Sequence, residues 1–367
     1  MSLNQRQDVG SPLKQRLARE IALTGPMTVA DYVRRCLHDP EDGYYAVRPR
    51  LGPDGDFITA PGVSQMFGEL IGLWAVECWR RLGSPPRLTL AEVGPGDGTL
   101  MADALRAARL APDFMAAIEL VLIEPSAPLR AAQGTRLAPL GVAPLWVEDL
   151  SALPETQPLI LIANEVLDCL PARQFVRTET GWAERRIGVE DDGALVFGLT
   201  AATGFTPPPW PVQIGQTVET SSAQISFAGG VADRVVRAGG CALLIDYGRD
   251  APGPGDTLQA LTAHRKVDPL AEPGHADLTQ WADFPTVQAA ARQAGAVSPA
   301  LLTQGDFLTL LGIEVRAERL QQGRPDQAAV IDRQLDRLIG PDQMGRLFKV
   351  AAIHAPGFTA PGFEEEF

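Results

Sequence analysis

Short apolar runs alternate with helix-forming segments from about residue 87 onward, and this alternation constrains the fold more than any other feature of the chain. The runs that we predict to be strands cover residues 88–93, 120–124, 145–147, 159–163 and 242–246. Apolar strands between helices are typical of a mostly parallel sheet that helices cover on both faces. Four of the strands end at or just before an acidic residue, and ligands of open α/β sheets bind at the carboxyl ends of the strands. The sequence therefore predicts an α/β fold with a polar site along that edge.

A glycine turn follows the first of these strands. Residues 90–100 read Leu-Ala-Glu-Val-Gly-Pro-Gly-Asp-Gly-Thr-Leu, and apolar residues then recur at helical spacing. Gly94, Gly96 and Gly98 allow the backbone to approach a ligand closely, and the amino terminus of the next helix offers N–H donors. This arrangement predicts a nucleotide-type cradle.

The spacing of the glycines indicates which ligand the cradle holds. A dinucleotide fingerprint of the form G-x-G-x-x-G requires glycine where Thr99 stands, whereas this chain has G-x-G-x-G. Glu92, two residues before the first glycine, opposes a pyrophosphate and suits a cationic ligand. S-adenosylmethionine, which carries a sulfonium, an amino group and a ribose, fits these residues. An NAD(P)-dependent oxidoreductase is the alternative, and Thr99 argues against it.

Further acidic residues at strand ends extend this hypothesis. Glu124 closes the second strand, where a carboxylate can accept the hydroxyl protons of a ribose. Asp149 and Leu150 follow the third strand, where an acid and an apolar side chain can hold adenine. Any one of these acids alone would be interpreted as a helix cap. Three in register behind a glycine turn favour a cofactor site.

The candidate catalytic residues follow the fourth strand, where a transferred methyl group would face its acceptor. Asn164, Glu165 and Asp168 can hold an amine or a guanidinium and accept its proton. The alternative, that Glu165 and Asp168 begin and cap a helix, is equally well supported by the sequence. Weaker candidates on the substrate side are Asp246, Tyr247, His275 and Asp277.

The chain of 367 residues is longer than a minimal sheet of this kind needs. We predict an N-terminal helical region with a cofactor-covering loop at 1–86 and the first part of the catalytic core at 87–173. A β-rich insertion is predicted at 174–234, with a hairpin turn at Asp192 and Gly193. The second part of the core is predicted at 235–367 and includes a substrate-side loop at 249–285. The extra segments are where we expect a protein substrate to be recognised.

Charge and composition exclude several classes of protein. Lys and Arg number 32 against 45 Asp and Glu, a net charge of −13, which disfavours nucleic acid and anionic membranes as partners. Four scattered cysteines and four histidines without metal-ligand spacing predict free thiols and no metal. The chain shows neither a signal peptide nor an apolar run of about 20 residues, so we expect no membrane insertion and a cytoplasmic location. The oligomeric state is left open.

Taken together, the motifs of this chain resemble one known family, the MidA-like class I methyltransferases. This family includes a mitochondrial protein arginine methyltransferase that assists the assembly of respiratory complex I. The blocks that carry the resemblance are residues 25–32, 39–45, 55–61, 64–69, 92–101, 164–171, 246–248, 273–279, 303–305 and 344–349. Two positions depart from the family pattern, since Gly62 stands where Glu is expected and Asp97 where Arg or Gly is common.

The resemblance implies a fold, an activity and a set of roles. The implied fold is a Rossmann-like α/β class I methyltransferase sheet of seven mostly parallel strands with an N-terminal helical extension and an inserted substrate-side subdomain. The implied activity is protein-arginine N-methylation that uses S-adenosylmethionine and acts on an NADH dehydrogenase subunit or its assembly. By this resemblance the following residues lie over or line the cofactor: Gly55, Asp56, Phe57, Gly94, Gly96, Glu124, Asp149 and Asn164. An assembly chaperone that binds the cofactor without transferring methyl groups is a second hypothesis, and methylation of a small molecule or RNA stays open.

Overall fold

Residues 11–47 and 59–364 are described by the computed structural model of the protein. The strands are β1 Met27–Thr28, β2 Leu88–Val93, β3 Ile118–Ile123, β4 Leu145–Val147, β5 Leu159–Asn164, β6 Arg173–Thr178, β7 Gly181–Val189, β8 Leu195–Ala201, β9 Thr217–Thr220, β10 Gly240–Arg249, β11 Gln259–Thr262, β12 Arg265–Val267, β13 Asp277–Thr279, β14 Ala282–Asp283, β15 Leu302–Thr303 and β16 Phe348–His354. The helices are α1 Pro12–Thr24, α2 Val29–His38, α3 Tyr44–Val47, α4 Ala60–Val63, α5 Gln65–Arg81, α6 Thr99–Ala108, α7 Pro112–Ala117, α8 Ala127–Leu137, α9 Ser222–Ala238, α10 Phe284–Gln293, α11 Gln304–Leu310, α12 Ile313–Gly323, α13 Ala328–Ile339 and α14 Met344–Leu347. Short 3₁₀ helices cover Ala138–Leu140, Leu150–Ala152 and Pro325–Gln327.

The central sheet has the strand order β15-β16-β10-β5-β2-β3-β4, and β14 adds to the carboxyl end of β10. Strands β2, β3, β4, β5 and β10 run parallel, whereas β16 is antiparallel to both of its neighbours. The predicted class I methyltransferase sheet of seven mostly parallel strands is confirmed. The chain winds from β2 outward to β4 and then returns to the other side of β2 as β5. This reversal opens a crevice at the carboxyl ends of β2 and β5, where ligands bind in such sheets.

Helices cover both faces of this sheet, as the apolar character of its strands requires. On one face Leu90 and Leu243 belong to the same buried apolar cluster as Trp74 of α5 and Leu100 of α6. On the other face Leu161 and Leu244 pack against α9 and α10. Because these apolar layers cover the parallel strands along their length, the strands end at the same edge of the sheet. The polar residues after β2, β3, β5 and β10 lie along that edge.

Helices α5 and α6 approach closely because glycines line their contact. A Cβ atom added to Gly72 would lie 2.3 Å from the carbonyl oxygen of Ala104 and 2.6 Å from its Cα atom. One added to Gly68 would lie 2.9 Å from the carbonyl oxygen of Leu100. The segment that begins α5 therefore rests directly on the helix that follows the glycine turn.

Exchange of Gly72 for alanine is expected to destabilise the fold by about 1–3 kcal/mol, because the added methyl group overpacks a contact with rigid backbone. The measurement is urea unfolding followed by circular dichroism. Gly229→Ala on α9 is the matched control, since no described heavy atom lies within 4 Å of its added Cβ. That variant should gain up to about 1 kcal/mol from helix propensity. Equal effects of the two exchanges would contradict the packing argument.

A second, antiparallel sheet has the order β1-β7-β6-β9, with β8 paired to β7. The predicted hairpin turn is confirmed, since Val189 pairs with Leu195 and Gly193 has a φ of +85°. Helices α1 and α2 pack on this sheet through Leu17 and Val33.

The segment after β10 joins the same unit. It forms the three-stranded sheet β12-β11-β13, which places Leu278 in the hydrophobic cluster of α1 and α2. Helix α9, by contrast, packs on the central sheet. The predicted division of the chain at residues 86, 173 and 234 stays a prediction. The structure shows that the N-terminal helices, the antiparallel sheet and the segment after β10 share one apolar core.

Candidate active site at the carboxyl ends of the central strands

The glycine turn after β2 has a backbone that favours glycine at three positions. Gly94, Gly96 and Gly98 have φ angles of +60°, +55° and +84°, in the left-handed region. Gly98 is the N-cap of α6. Asp97, which differs from the Arg or Gly common in the family, accepts a hydrogen bond from the N–H of Thr99 at 3.0 Å and forms an ion pair with Arg136 at 2.6 Å. The carboxylate of Asp97 is thus engaged in its own turn.

Glu92 supplies a buried carboxyl group just before this turn. Its side chain is 2% exposed, and its Oε2 has no hydrogen-bond partner among the described residues. Burial, with a smaller contribution from the charge of Asp97, raises the pKa of Glu92 to about 8. A buried polar atom without a partner is rare in folded proteins because its desolvation is costly. The unpartnered oxygen fits a hydrogen-bond donor or a cation of a bound ligand.

Glu124 lies just after β3 and is buried with both carboxylate oxygens held. Its Oε1 accepts the N–H of Ser126 at 2.8 Å, and its Oε2 accepts the side-chain amide of Gln133 at 3.4 Å. Burial raises the pKa of Glu124, while these hydrogen bonds act in the opposite direction. A carboxylate can accept about four hydrogen bonds, so capacity for two donors is left. This matches the two hydroxyl groups of a ribose.

Asp149 is exposed and caps the short helix Leu150–Ala152. Its Oδ1 accepts the N–H of Ser151 at 2.7 Å and the hydroxyl of Ser151 at 2.5 Å. These bonds lower the pKa of Asp149. Leu150 beside it is partly buried against the core below α9. The cap does not exclude a second role, and the contact of Asp149 and Leu150 with adenine stays a prediction.

Asn164 and Glu165 stand where β5 ends. Asn164 is 9% exposed, its Oδ1 lacks a partner among the described residues, and its Nδ2 donates to Oε1 of Glu165 at 3.0 Å. Glu165 has a φ of +54°, which is uncommon for a residue with a side chain and marks a constrained position. Its Oε1 also accepts the N–H of Ala60 at 3.1 Å. The end of β5 is thereby tied to the first residue of α4.

Asp246 holds the loop that follows β5. It is fully buried, its Oδ2 accepts the N–H groups of Leu167 and Asp168 at 2.8 and 3.1 Å, and its Oδ1 accepts the N–H of Tyr247 at 2.8 Å. Three backbone donors on one carboxylate fix the loop conformation. Asp246 therefore orients the candidate catalytic residues from the neighbouring strand.

The three carboxyl groups of this corner, Glu165, Asp168 and Asp246, share an environment that opposes ionisation. Burial first, and then the charge of Asp168, raises the pKa of Glu165 to about 8. Burial raises the pKa of Asp168 to about 6, and burial with the charges of its two neighbours raises that of Asp246 well above its ordinary value. Among the described residues none of the three forms an ion pair with Lys, Arg or His; Lys349, across from Asp246 in the sheet, pairs with Asp250 instead. The corner is therefore an acidic site, largely buried, to which the described part of the chain brings no countercharge.

Tyr45 connects the N-terminal extension with this corner. Its hydroxyl lies 3.0 Å from Sγ of Cys169 and donates to Oδ1 of Asp277 at 3.3 Å, and Cys169 donates to Oδ1 of Asp168 at 3.3 Å. The structure therefore brings Asp277 near the candidate catalytic loop.

The other two substrate-side candidates differ in their placement. The hydroxyl of Tyr247 is buried without a partner among the residues that the structure describes. His275 instead lies at the surface, with its side chain 46% exposed and its Nδ1 3.8 Å from Glu272. The roles of all four substrate-side candidates stay predictions.

Several residues of the site carry no sequence signal of the kind used above. Gln133 lies outside every motif named above, and Tyr45, Ala60 and Cys169 lie in the blocks of the family resemblance without a role assigned to them. All four reach the site through contacts between segments that are distant in the chain. The predicted cofactor contacts Gly55, Asp56 and Phe57 lie outside the described residues. Within 11–47 and 59–364, no group of three or more His, Cys, Asp or Glu side chains is arranged to hold a metal ion.

An α/β sheet with this strand order, a glycine turn after its first strand and carboxylates at the next strand ends defines the Rossmann-like methyltransferase class. The sequence model of a family of S-adenosyl-L-methionine-dependent methyltransferases matches residues 70–301. The protein arginine methyltransferase NDUFAF7 homolog, mitochondrial, of Drosophila melanogaster is 35% identical over 381 residues, which cover 95% of this chain and 86% of that protein. Protein arginine methyltransferase NDUFAF7, mitochondrial, of Homo sapiens is 32% identical over 370 residues, with coverages of 94% and 83%.

Solved structures agree with these sequence relatives. A superfamily member from Burkholderia thailandensis, bound to S-adenosyl-homocysteine, matches with a TM-score of 0.82 at 27% identity and covers 97% of this chain and 93% of that one. The chain belongs to this family of S-adenosyl-L-methionine-dependent methyltransferases. The resemblance to the MidA-like family and the predicted cofactor are confirmed.

Among the helices of the described ranges, none is both long enough and apolar enough to cross a membrane.

Proposed function

We propose that the protein transfers the methyl group of S-adenosylmethionine to an arginine side chain of a partner protein. One observation carries the proposal: the buried Asp168 and Asp246 and the partly buried Glu165 form an acidic corner that no described cationic side chain neutralises. Burying unpaired carboxylates costs several kcal/mol or forces them to bind protons, so such a site is suited to an incoming cation. A guanidinium is planar, permanently charged and able to donate two hydrogen bonds to one carboxylate.

The cofactor half of the site fits S-adenosylmethionine on the same physical grounds. Oε2 of Glu92, which has no partner among the described residues, would accept a hydrogen bond from a donor such as the ammonium group of the cofactor. Glu124 would accept hydrogen bonds from the ribose hydroxyls. Because Gly94, Gly96 and Gly98 have left-handed backbones and no side chains, the cofactor could approach the turn closely. Asn164, with its free Oδ1, would lie between the cofactor and the acceptor.

The protein's own residues would position the acceptor and take up its proton. When bound, the cofactor supplies an electrophilic methyl group on a sulfonium. Transfer would form an N–C bond to a guanidinium nitrogen as the S–C bond breaks, and that nitrogen would lose one proton. Glu165 would accept this proton, with Asp168 as the alternative acceptor, and Asp246 would hold the loop in the geometry this requires. The catalytic roles of Asn164, Glu165 and Asp168 are part of this proposal.

The relatives suggest an acceptor. Because they are named protein arginine methyltransferases, we extend the proposal to a protein substrate, with an NADH dehydrogenase subunit as the first candidate. Their names also carry the word mitochondrial, so the cytoplasmic location expected from the sequence is retained only as a proposal.

The arginine proposal is tested by methyl transfer to a protein extract from cells that lack this protein. With S-adenosylmethionine labelled in its methyl group, acid hydrolysis should release the label as methylarginine, from one or a few proteins that include an NADH dehydrogenase subunit. Glu165→Gln should transfer at most about 1% of the wild-type label, since a positioned base contributes about 10²-fold or more. Label in lysine, RNA or a small molecule would contradict the arginine assignment. No transfer to any acceptor, with cofactor binding intact, would instead favour the assembly chaperone.

A further inference from the structure

Gln133, on α8, joins three segments of the cofactor half of the site. Its side-chain Nε2 donates to the carbonyl oxygen of Gly96 at 2.7 Å and to Oε2 of Glu124 at 3.4 Å. Its Oε1 accepts the indole N–H of Trp146, on β4, at 2.8 Å. The side chain is fully buried. One amide thus contacts the turn after β2, the acid after β3 and strand β4.

The orientation of this amide is determined by its partners. The indole N–H of Trp146 can only donate, so the amide oxygen of Gln133 must face it. The amide nitrogen then faces the other two groups, the carbonyl of Gly96 and the carboxylate of Glu124, both of which are acceptors. Its two hydrogens match these two acceptors, and an inverted amide would oppose a donor to a donor at Trp146. The network therefore has a single arrangement.

The groups around Glu124 show what Gln133 contributes. Ser126 holds one carboxylate oxygen through its N–H, and Gln133 holds the other, so together they fix the plane of the carboxylate. Arg130 donates its Nε to the carbonyl oxygen of Glu124 and supports the backbone. Without Gln133, Oε2 of Glu124 would lose this hydrogen bond, and the carboxylate could rotate about its Cγ–Cδ bond.

We propose that Gln133 is a positioning residue for cofactor binding, which orients the Glu124 carboxylate toward the ribose of S-adenosylmethionine and holds the glycine turn in place through the carbonyl oxygen of Gly96. This inference rests on the proposed contact of Glu124 with the ribose. It adds a residue that touches no ligand and acts through Glu124. A ribose that donates two hydrogen bonds to one carboxylate requires that carboxylate in a fixed plane, and pre-organised groups bind more tightly because less freedom is lost.

Gln133 also packs closely, since a Cβ atom added to Gly98 would lie 3.3 Å from its Cα atom. A test must therefore separate orientation from packing. We compare two ligands by titration calorimetry, S-adenosylhomocysteine and its 2′,3′-dideoxy analogue. Hydrogen bonds to a charged group are worth enough for wild-type protein to prefer the hydroxylated ligand by about 10- to 100-fold.

Gln133→Leu should reduce this preference to about threefold or less while the affinity for the dideoxy analogue changes little. Gln133→Glu keeps the shape and the bond from Trp146 but opposes a carboxylate to Glu124, and it should reduce the preference at least as far. It provides the second reading if the leucine variant does not fold, which circular dichroism reports. An equal loss for both ligands, or an unchanged preference in either folded variant, would overturn the positioning role.

Glu124→Gln distinguishes this inference from the proposed function beneath it. If Glu124→Gln lowers the preference but the Gln133 variants do not, only the role of Gln133 is overturned. If Glu124→Gln leaves the preference unchanged, the proposed contact of Glu124 with the ribose is wrong and the role of Gln133 fails with it, whereas methyl transfer to arginine is decided separately by the labelled extract.

Discussion

Replacing Gly96 with valine is expected to lower the affinity for S-adenosylhomocysteine by about 100-fold or more, which corresponds to about 2.8 kcal/mol of binding free energy. Gly96 has a φ of +55°, a conformation in which a β-branched side chain is strained by about 1–2 kcal/mol or more. Its carbonyl is held by Gln133, so the peptide cannot simply rotate to relieve the strain. Titration calorimetry measures the affinity.

Gly141→Val is the matched control for this exchange. Gly141 also has a left-handed backbone, with a φ of +71°, and no described heavy atom lies within 4 Å of an added Cβ. It precedes β4, at the amino edge of the sheet and away from the candidate site. The control should lose stability to a similar extent but bind S-adenosylhomocysteine as the wild type does. If both variants lose affinity equally, the effect is one of folding, and the glycine turn is not the cofactor cradle.

The strands that build the central sheet could be predicted from the sequence because they are buried on both faces. A run such as 88–93 is mostly apolar, with only Thr89 and Glu92 polar, and is bounded by turn formers, so its ends are sharp, and the structure places β2 at Leu88–Val93. Helix α5 likewise has a local signal, since Phe67, Leu70 and Trp74 recur at helical spacing after Ser64, whose hydroxyl caps the helix. Once these strands are placed, parallel register alone brings the residues after β2, β3, β5 and β10 to one edge.

The segment at 249–285 shows where such reasoning ends. Its strands β11, β12 and β13 contain three or four residues each and pair only with one another, so they carry too short a pattern to be recognised. The contacts of Ala60 with Glu165 and of Tyr45 with Cys169 join residues more than 100 positions apart. Such contacts depend on how the antiparallel unit packs on the central sheet, which no local periodicity encodes.

The same limit applies to the charge state of the site. The sequence shows that acids accumulate at strand ends but not whether a cation lies beside them. In the structure, the buried Glu184 on β7 and the partly buried Glu165 after β5 have opposite environments. Arg173 and Arg186 lie 2.6 and 2.7 Å from Glu184, whereas Glu165 has no described cationic partner. Because only Glu184 has cationic partners, exchanging each of the two carboxyl groups for an amide should change the stability of the protein in opposite directions.

Glu165→Gln is expected to stabilise the protein at pH 9, by about 1–3 kcal/mol, while it abolishes methyl transfer. Because burial raises the folded-state pKa of Glu165 to about 8, the folded protein binds a proton that the unfolded chain has released. Stability therefore falls as pH rises from about 4.5 to about 8, and at pH 9 the wild type carries a partly buried charge without a described cationic partner, which glutamine removes. At pH 6 only part of this loss has occurred, so the advantage of glutamine should be clearly smaller there than at pH 9. Urea unfolding at the two pH values measures the effect.

Glu184→Gln should behave in the opposite way. Burial alone would raise the pKa of Glu184, but the hydrogen bonds from Arg173 and Arg186 outweigh it and hold the pKa below its ordinary value. The folded-state charge is favourable at pH 6 and at pH 9, so its removal should cost about 1–3 kcal/mol at both, with the two guanidinium groups left without their partner. Methyl transfer should persist in this variant once its folding is verified. A Glu165→Gln variant that is less stable than wild type at pH 9 would show that Glu165 already has a partner, and the acidic corner would then no longer be available for a guanidinium.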